Sequence, residues 1–171
     1  MFTIVSLTPD HAEPQGSQLA ELLIDAVDSG ASIGFMPPLA ESEAREYWQG
    51  VLSGMREGSR VLLVAVEGGM VQGSVQIALE MRANGNHRGE LMKLFVHRRA
   101  RRQGIAKALM SAAEAKALEL GRTLLVMDTR KGGDAEKMCE ALGYIRYGEV
   151  PRYARSSDGT LHTTVFFYRA L

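Results

Sequence analysis

The sequence predicts a mixed α/β fold (α+β in its layering): a central, mostly antiparallel sheet of about seven strands, flanked by about four helices. Two observations carry this. Three β-rich runs, Arg60–Val66, Val71–Met81 and Glu90–Val96, follow one another through turn-forming segments, the pattern of an antiparallel meander. The last of them then leads through an Ala- and Leu-rich helix, Gly104–Leu120, into the almost unbroken apolar run Thr123–Met127. Strand, helix, strand implies a parallel pair with a right-handed crossover, and a run apolar on both faces fits a covered strand.

The elements follow in order. Phe2–Leu7 is rich in β-formers. Thr8-Pro9-Asp10 reads as a helix start, with Thr8 as the cap and Pro9 in the first turn. A helix within Gln15–Asp28 carries Leu19, Leu22, Leu23, Ala26 and Val27 at helical spacing, and Ser29-Gly30 ends it. Pro37-Pro38 forbids a helix there, and a second helix, Glu41–Arg56, follows. Glu67-Gly68-Gly69-Met70 is a hairpin turn, and Gly73 marks a weak point or bulge in the return strand. Asn84-Gly85-Asn86 turns the chain into the Glu90–Val96 strand, and Gly121 closes the helix after it. A short helix, Asp134–Leu142, precedes two last strands, Tyr144–Val150 and Thr163–Ala170, joined through Asp158-Gly159. No linker or repeat interrupts residues 1–171, which read as a single domain.

Composition excludes several classes. Lys plus Arg and Asp plus Glu are both 20, so the formal net charge is zero, whereas a general nucleic-acid binder shows a basic excess. The one cysteine, Cys139, allows no intrachain disulfide, and no metal-ligand cluster is spaced along the chain. The N-terminal run lacks a basic region, and no stretch approaches the roughly 20 apolar residues of a membrane span, so a soluble, cytoplasmic protein is expected. Gly30-Ala31-Ser32-Ile33-Gly34 fits the Gly-x-Ser-x-Gly nucleophile elbow, but that motif needs a strand before it and a helix after it.

The organising stretch is Glu90–Met110, a strand, a basic turn and a helix. A helix start leaves N–H groups unpaired and carries partial positive charge. Arg98, Arg99, Arg101 and Arg102 nevertheless crowd in front of it, with Lys107 one turn inside. A bound phosphate would reverse that penalty, and the small Gly104 and Ala106 would let it approach. A solvated basic turn is the alternative reading of the same residues.

Arg101-x-x-Gly104-x-Ala106 between an apolar strand and a helix resembles motif A of the GNAT N-acetyltransferases. Further blocks in matching order, Gly30–Met36, Met127-Asp128-Thr129, Gly148–Tyr153 and Asp158–His162, are similar to the tabtoxin-resistance group of that family, over nearly the whole chain. The resemblance implies one GNAT domain and acetyl-CoA as cosubstrate, without a metal. Arg101, Arg102, Gln103, Gly104, Ile105, Ala106 and Lys107 would meet the coenzyme pyrophosphate. Leu94, Phe95 and Val96 would run beside the coenzyme, Cys139 would contact it as well, and a main-chain N–H near Phe95 or Val96 would polarise the thioester oxygen. It further implies direct transfer, in a ternary complex, to the primary amine of a small, amino-acid-like toxin or antibiotic. Phe35, Met36 and Tyr153 would line the acceptor site, although Phe35 and Met36 equally suit packing between helices.

Acetyl transfer to an amine requires a proton acceptor, because an ammonium is no nucleophile. Glu90 opens the central strand, and Asp128 ends the apolar one, where open α/β sheets place ligands. Read from residues alone, Glu90 is also a solvated strand-edge acid paired with Arg88, and Asp128 a turn residue with Thr129. The resemblance favours both as the general base, acting through water. One departure stands out: the position where many members carry a tyrosine acid holds Cys139, and their usual asparagine position holds Gly132. Tyr144, Tyr147, Tyr153 or water remain as proton donors to the departing thiolate. A protein or peptide amine as acceptor, an inactive acyl-CoA-binding domain and a homodimer all stay open; nucleic-acid and membrane partners are not expected.

Overall fold

The computed structural model describes all 171 residues. In chain order they form β1 (Thr3–Leu7), α1 (Pro9–Ala12), α2 (Gly16–Asp28), α3 (Glu41–Arg56), β2 (Arg60–Glu67), β3 (Met70–Leu79), β4 (Arg88–Val96), α4 (Ile105–Glu119), β5 (Leu124–Arg130), α5 (Asp134–Ala141), β6 (Ile145–Arg155) and β7 (Leu161–Ala170). One sheet of seven strands runs β1-β2-β3-β4-β5-β7-β6. Every pairing is antiparallel except β4–β5, the parallel pair that the strand–helix–strand pattern predicts. The meander is longer than expected, because β1 pairs with β2 and adds a fourth strand.

Local chemistry accounts for the boundaries. Gly68 and Gly69 both have positive φ (58° and 78°), as a two-residue hairpin turn with right-handed twist requires. The α4 C-terminus closes on Gly121 (φ 71°), with Arg122 N–H donating back to Ala117 O at 2.8 Å. Gly143 (φ 81°) ends α5 likewise, through Tyr144 N–H to Cys139 O at 3.0 Å. The Glu43 carboxylate accepts the Ala40 N–H at 3.1 Å and so caps α3. Thr8 occupies the cap of α1, but its hydroxyl meets His11 Nδ1 at 3.0 Å and caps no main-chain N–H.

The sheet separates two cores. One face packs under α4 and α5, with Leu63, Val75, Ile77, Leu91, Leu125 and Phe167 from the strands. The other packs under α2 and α3, with Leu62, Val64, Val71 and Phe95. Ala113 and Ala117 are fully buried on α4 and let that helix lie close to the sheet. Gly73 sits beside the expected bulge, where pairing with β2 slips between Ala65 and Val66. A Cβ there would lie 3.1 Å from Phe95 O, so β3 and β4 need the bare glycine. No helix is long and apolar enough to cross a membrane.

Candidate functional site

Two irregularities of β4 create a cleft. β4 and β5 are in register only from Arg88–Glu90 against Leu124–Val126, yet they continue to Val96 and Arg130. Beyond Glu90 they part, and β4 offers a free main-chain edge from Leu91 to Val96. On its other side, β4 carries an extra residue: Ser74 pairs with Phe95 but Gln76 with Met92. The bulge leaves Lys93 with φ 53°. Phe95 and Val96 are buried and Leu94 half-buried, so their contribution to a ligand here is main-chain.

The wedge opens towards the start of α4. Arg102 (φ 61°) and Gly104 (φ 81°) both turn the chain through the left-handed region. Consecutive main-chain N–H groups from Arg101 to Lys107 donate to no protein acceptor. Alternation of this kind gathers N–H groups into an anion-binding concavity, reinforced by the helix dipole. Nothing lies within 4 Å of where a Gly104 Cβ would project, so the space above the loop is open. These donors fit a pyrophosphate.

The arginines divide into two pairs, which the sequence did not separate. Arg98 donates from its main-chain N–H to Asp25 Oδ2 at 2.9 Å, and its guanidinium bonds to Oδ1 of the same residue. Arg99 donates to Gln72 Oε1 at 3.1 Å and lies 3.8 Å from Glu21. Both therefore pin the turn to α2 and β3 and are not free anion partners. His97 completes the anchor: its Nδ1 accepts the Arg99 N–H at 3.2 Å, and its Nε2 faces Asp25 at 3.6 Å. Arg101 Nε bonds to Val96 O at 3.2 Å, whereas Arg102, Gln103 and Lys107 face solvent. Ile105 is buried and Ala106 half-buried, so both would meet a ligand through their N–H groups.

Glu90 and Asp128 share the sheet face that also carries α2 and α3. Glu90 lies opposite Val126, and Asp128 is two residues further along β5. Arg88 does not pair with Glu90; it bonds to Glu80 at 2.9 Å. Burial, and then the Asp128 charge, raise the Glu90 pKa, partly offset by Arg60, Lys93 and Arg88. Burial raises the Asp128 pKa too, although its residue opens to solvent along the cleft, and Lys93 opposes that rise. The two form a coupled pair, in which an ionised Asp128 disfavours charge on Glu90 and so raises its proton affinity.

Lys93, Arg60 and Tyr47 join this cluster unannounced. A charged residue inside the apolar run Leu91–Val96 was the signal for Lys93; nothing flagged the other two. The Tyr47 hydroxyl and Gln76 share hydrogen bonds (Gln76 Nε2 to Tyr47 at 2.9 Å), and Arg60 donates to Gln76 Oε1 at 3.1 Å.

Phe35 meets Tyr47 edge-on at 5.1 Å, so it packs and borders the cluster at once; Met36 is 44% exposed beside it. Tyr153 is 56% exposed and stands edge-on to Phe166 at 5.4 Å. Phe166 is the cross-strand partner of Asp128, which brings Tyr153 to the same face. Tyr147 packs on Phe166 and Tyr168 there as well. Tyr144 is buried on the other side, its hydroxyl donating to Glu114 Oε1 at 3.0 Å. Cys139 has no exposed surface, its sulfur lies 3.5 Å from Met127 Sδ, and burial pushes its thiol up to about 11. It is a small core residue and presents no surface to a coenzyme.

Comparison with known proteins bears on the family and the fold. The profile of the acetyltransferase (GNAT) family matches residues 16–144. An uncharacterized N-acetyltransferase from the hisH-hisA intergenic region of Azospirillum brasilense is 33% identical over 115 residues, 66% of this chain and 67% of its own. The ribosomal-protein-alanine N-acetyltransferase of Brucella melitensis superimposes with a TM-score of 0.81 over 99% of both chains at 21% identity. A GNAT superfamily phosphinothricin acetyltransferase from Sinorhizobium meliloti, solved in complex with AcCoA, gives 0.80 over 99% of this chain and 88% of its own at 19% identity. At such identities, the two structures establish the shared fold.

Proposed function

The chain belongs to the acetyltransferase (GNAT) family, and from that premise we propose that it transfers an acetyl group from acetyl-CoA to the primary amine of a small, amino-acid-like acceptor. The observation that carries the cosubstrate is the run of unpartnered N–H groups from Arg101 to Lys107, at the mouth of the β4–β5 wedge. Arg101, Arg102 and Lys107 add positive charge around it, with Gln103 and the N–H groups of Gly104, Ile105 and Ala106 as donors. The free edge of β4 at Leu94, Phe95 and Val96 offers main-chain donors where the thioester oxygen would develop charge, the kind of preorganised contact that dominates many acyl transfers.

Glu90 and Asp128 serve the amine. Asp128 ionises first and draws the acceptor ammonium; Glu90, with its raised pKa, is the better matched base and takes the proton, directly or through water. The freed amine then attacks the thioester carbon, and the C–S bond breaks. The thiolate takes its proton from solvent or from a tyrosine on the open face, since Cys139 and Tyr144 are enclosed. Phe35, Met36 and Tyr153 border the acceptor. A toxin or antibiotic is the acceptor type that the resemblance to the tabtoxin-resistance group implies; a peptide or protein amine is the second reading. The coupled carboxylates argue against a domain that only binds acyl-CoA.

An acceptor panel followed by CoA-thiol release tests this, with Glu90→Gln and Asp128→Asn beside the parent. Each substitution should lower kcat by roughly 100-fold while leaving acetyl-CoA affinity intact. Normal turnover in both variants would remove the base assignment. Calorimetry without heat on adding acetyl-CoA would remove the cosubstrate.

A further inference from the structure

We propose that Lys93 is a positioning residue: from the bulge of β4 it ties the loop between α2 and α3 onto the sheet, and so holds Phe35 and Met36 over Glu90 and Asp128. The inference rests on the reading of those carboxylates as the proton acceptor and adds the group that shapes the acceptor site around them.

The bulge is what makes the tie. At φ 53° Lys93 leaves the alternation of the strand, and its side chain reaches the α3 side. There Nζ donates to Ile33 O. It also lies 5.5 Å from the centre of the Phe35 ring and 5.9 Å from that of Tyr47. An ammonium between two ring faces is held by their quadrupoles as well as by its hydrogen bond. The loop passes close: a Cβ on Gly34 would stand 3.2 Å from Nζ, and Gly34 is at φ +87°. The positive φ favours glycine there, and a side chain would also crowd the lysine ammonium.

The same ammonium is electrostatically coupled to the reacting groups. Asp128 on β5 and Glu90 on β4 face it, with the Arg60 guanidinium on β2 as a like charge and the Tyr47 ring on α3. Arg88 acts on Glu90 alone. Lys93 opposes the upward push of burial on both carboxylates, so it keeps Asp128 ionised to lower pH than burial alone would allow.

Lys93→Met and Lys93→Arg in the full chain test the proposal. In Lys93→Met, hydrogen exchange of the Ser32–Met36 amides should quicken roughly tenfold in the ligand-free protein. The acceptor KM should rise, and the acid limb of kcat/KM should move to higher pH, because both carboxylates then hold protons longer. Acetyl-CoA affinity by calorimetry should stay within roughly twofold of the parent, since the ammonium is held on the α3 side by Ile33, Phe35 and Tyr47 and donates to none of the Arg101–Lys107 loop. Lys93→Arg should restore loop protection and the acid limb. Unchanged exchange with an unmoved limb overturns the proposal; so does an equal loss of acetyl-CoA affinity, which would mark general damage to the sheet. If Glu90→Gln and Asp128→Asn stay active while Lys93→Met still frees the loop, the tie stands and the base assignment falls.

Discussion

Asp25 on α2 receives Arg98, 73 residues later in the chain, through both its main-chain N–H and its guanidinium. Asp25 is itself 8% exposed. The pair fixes the direction in which the chain leaves β4 and enters the α4 loop. Replacing Asp25 by Ala leaves a main-chain donor and a guanidinium without their acceptor. Stability should fall by about 1–3 kcal/mol, read by urea unfolding. The acetyl-CoA Kd should rise roughly tenfold, although Asp25 lies outside the donor run.

Gly104 separates conformation from space. Its φ of +81° disfavours any Cβ, yet nothing lies within 4 Å of one. Gly104→Ala should therefore fold, at a cost of about 1–2 kcal/mol. The methyl group would sit in the concavity, and acetyl-CoA affinity should drop at least roughly tenfold, as calorimetry would reveal.

Glu90 makes a prediction about pH. Its folded-state pKa lies above the unfolded value, so the folded chain holds the proton longer. Its cost to stability is absent below the unfolded pKa, grows as pH rises through the interval between the two values, and is complete above the folded one. Ligand-free Glu90→Gln should thus melt higher than the parent at pH 7, on the order of 1–2 °C with solvent screening allowed for. The gain should vanish near pH 4, which differential scanning calorimetry at both pH values would establish.

Cys139 supplies a control. It is enclosed beside Met127, with its thiol raised to about 11. Cys139→Ala should leave kcat within roughly twofold and cost about 1 kcal/mol for the small void. A large fall in kcat with unchanged stability would instead return this residue to the chemistry.

The long helices and all seven strands were legible as elements, and several limits are written in local chemistry: Pro37-Pro38 before α3, Gly68-Gly69 between β2 and β3, Gly121 after α4. The ends of β5 and β6 were not, and β6 runs on to Arg155 past the expected Val150, because its exposed far end carries no apolar alternation. Motif A and the two carboxylates were legible too, as a glycine turn and as charges at the ends of apolar runs. What stayed hidden depends on partners distant in sequence. Nothing near Arg98 announces Asp25, so four arginines looked alike where two are anchors. The bulge at Lys93 exists only as a mismatch between β3 and β4, and the parting of β4 from β5 only as pairing that stops at Glu90.

That early stop makes the molecule a book with a short spine. Strands β1 to β4 form one page and β5, β7 and β6 the other, their main chains stitched only from His87 to Glu90 against Thr123 to Val126. A slender ligand laid along the gutter, trading hydrogen bonds with the bare margins, would act as the missing thread. Coenzyme occupancy should then stiffen both pages together, so the enzyme would meet its acceptor as a firmer body than the one that first captured the acetyl donor.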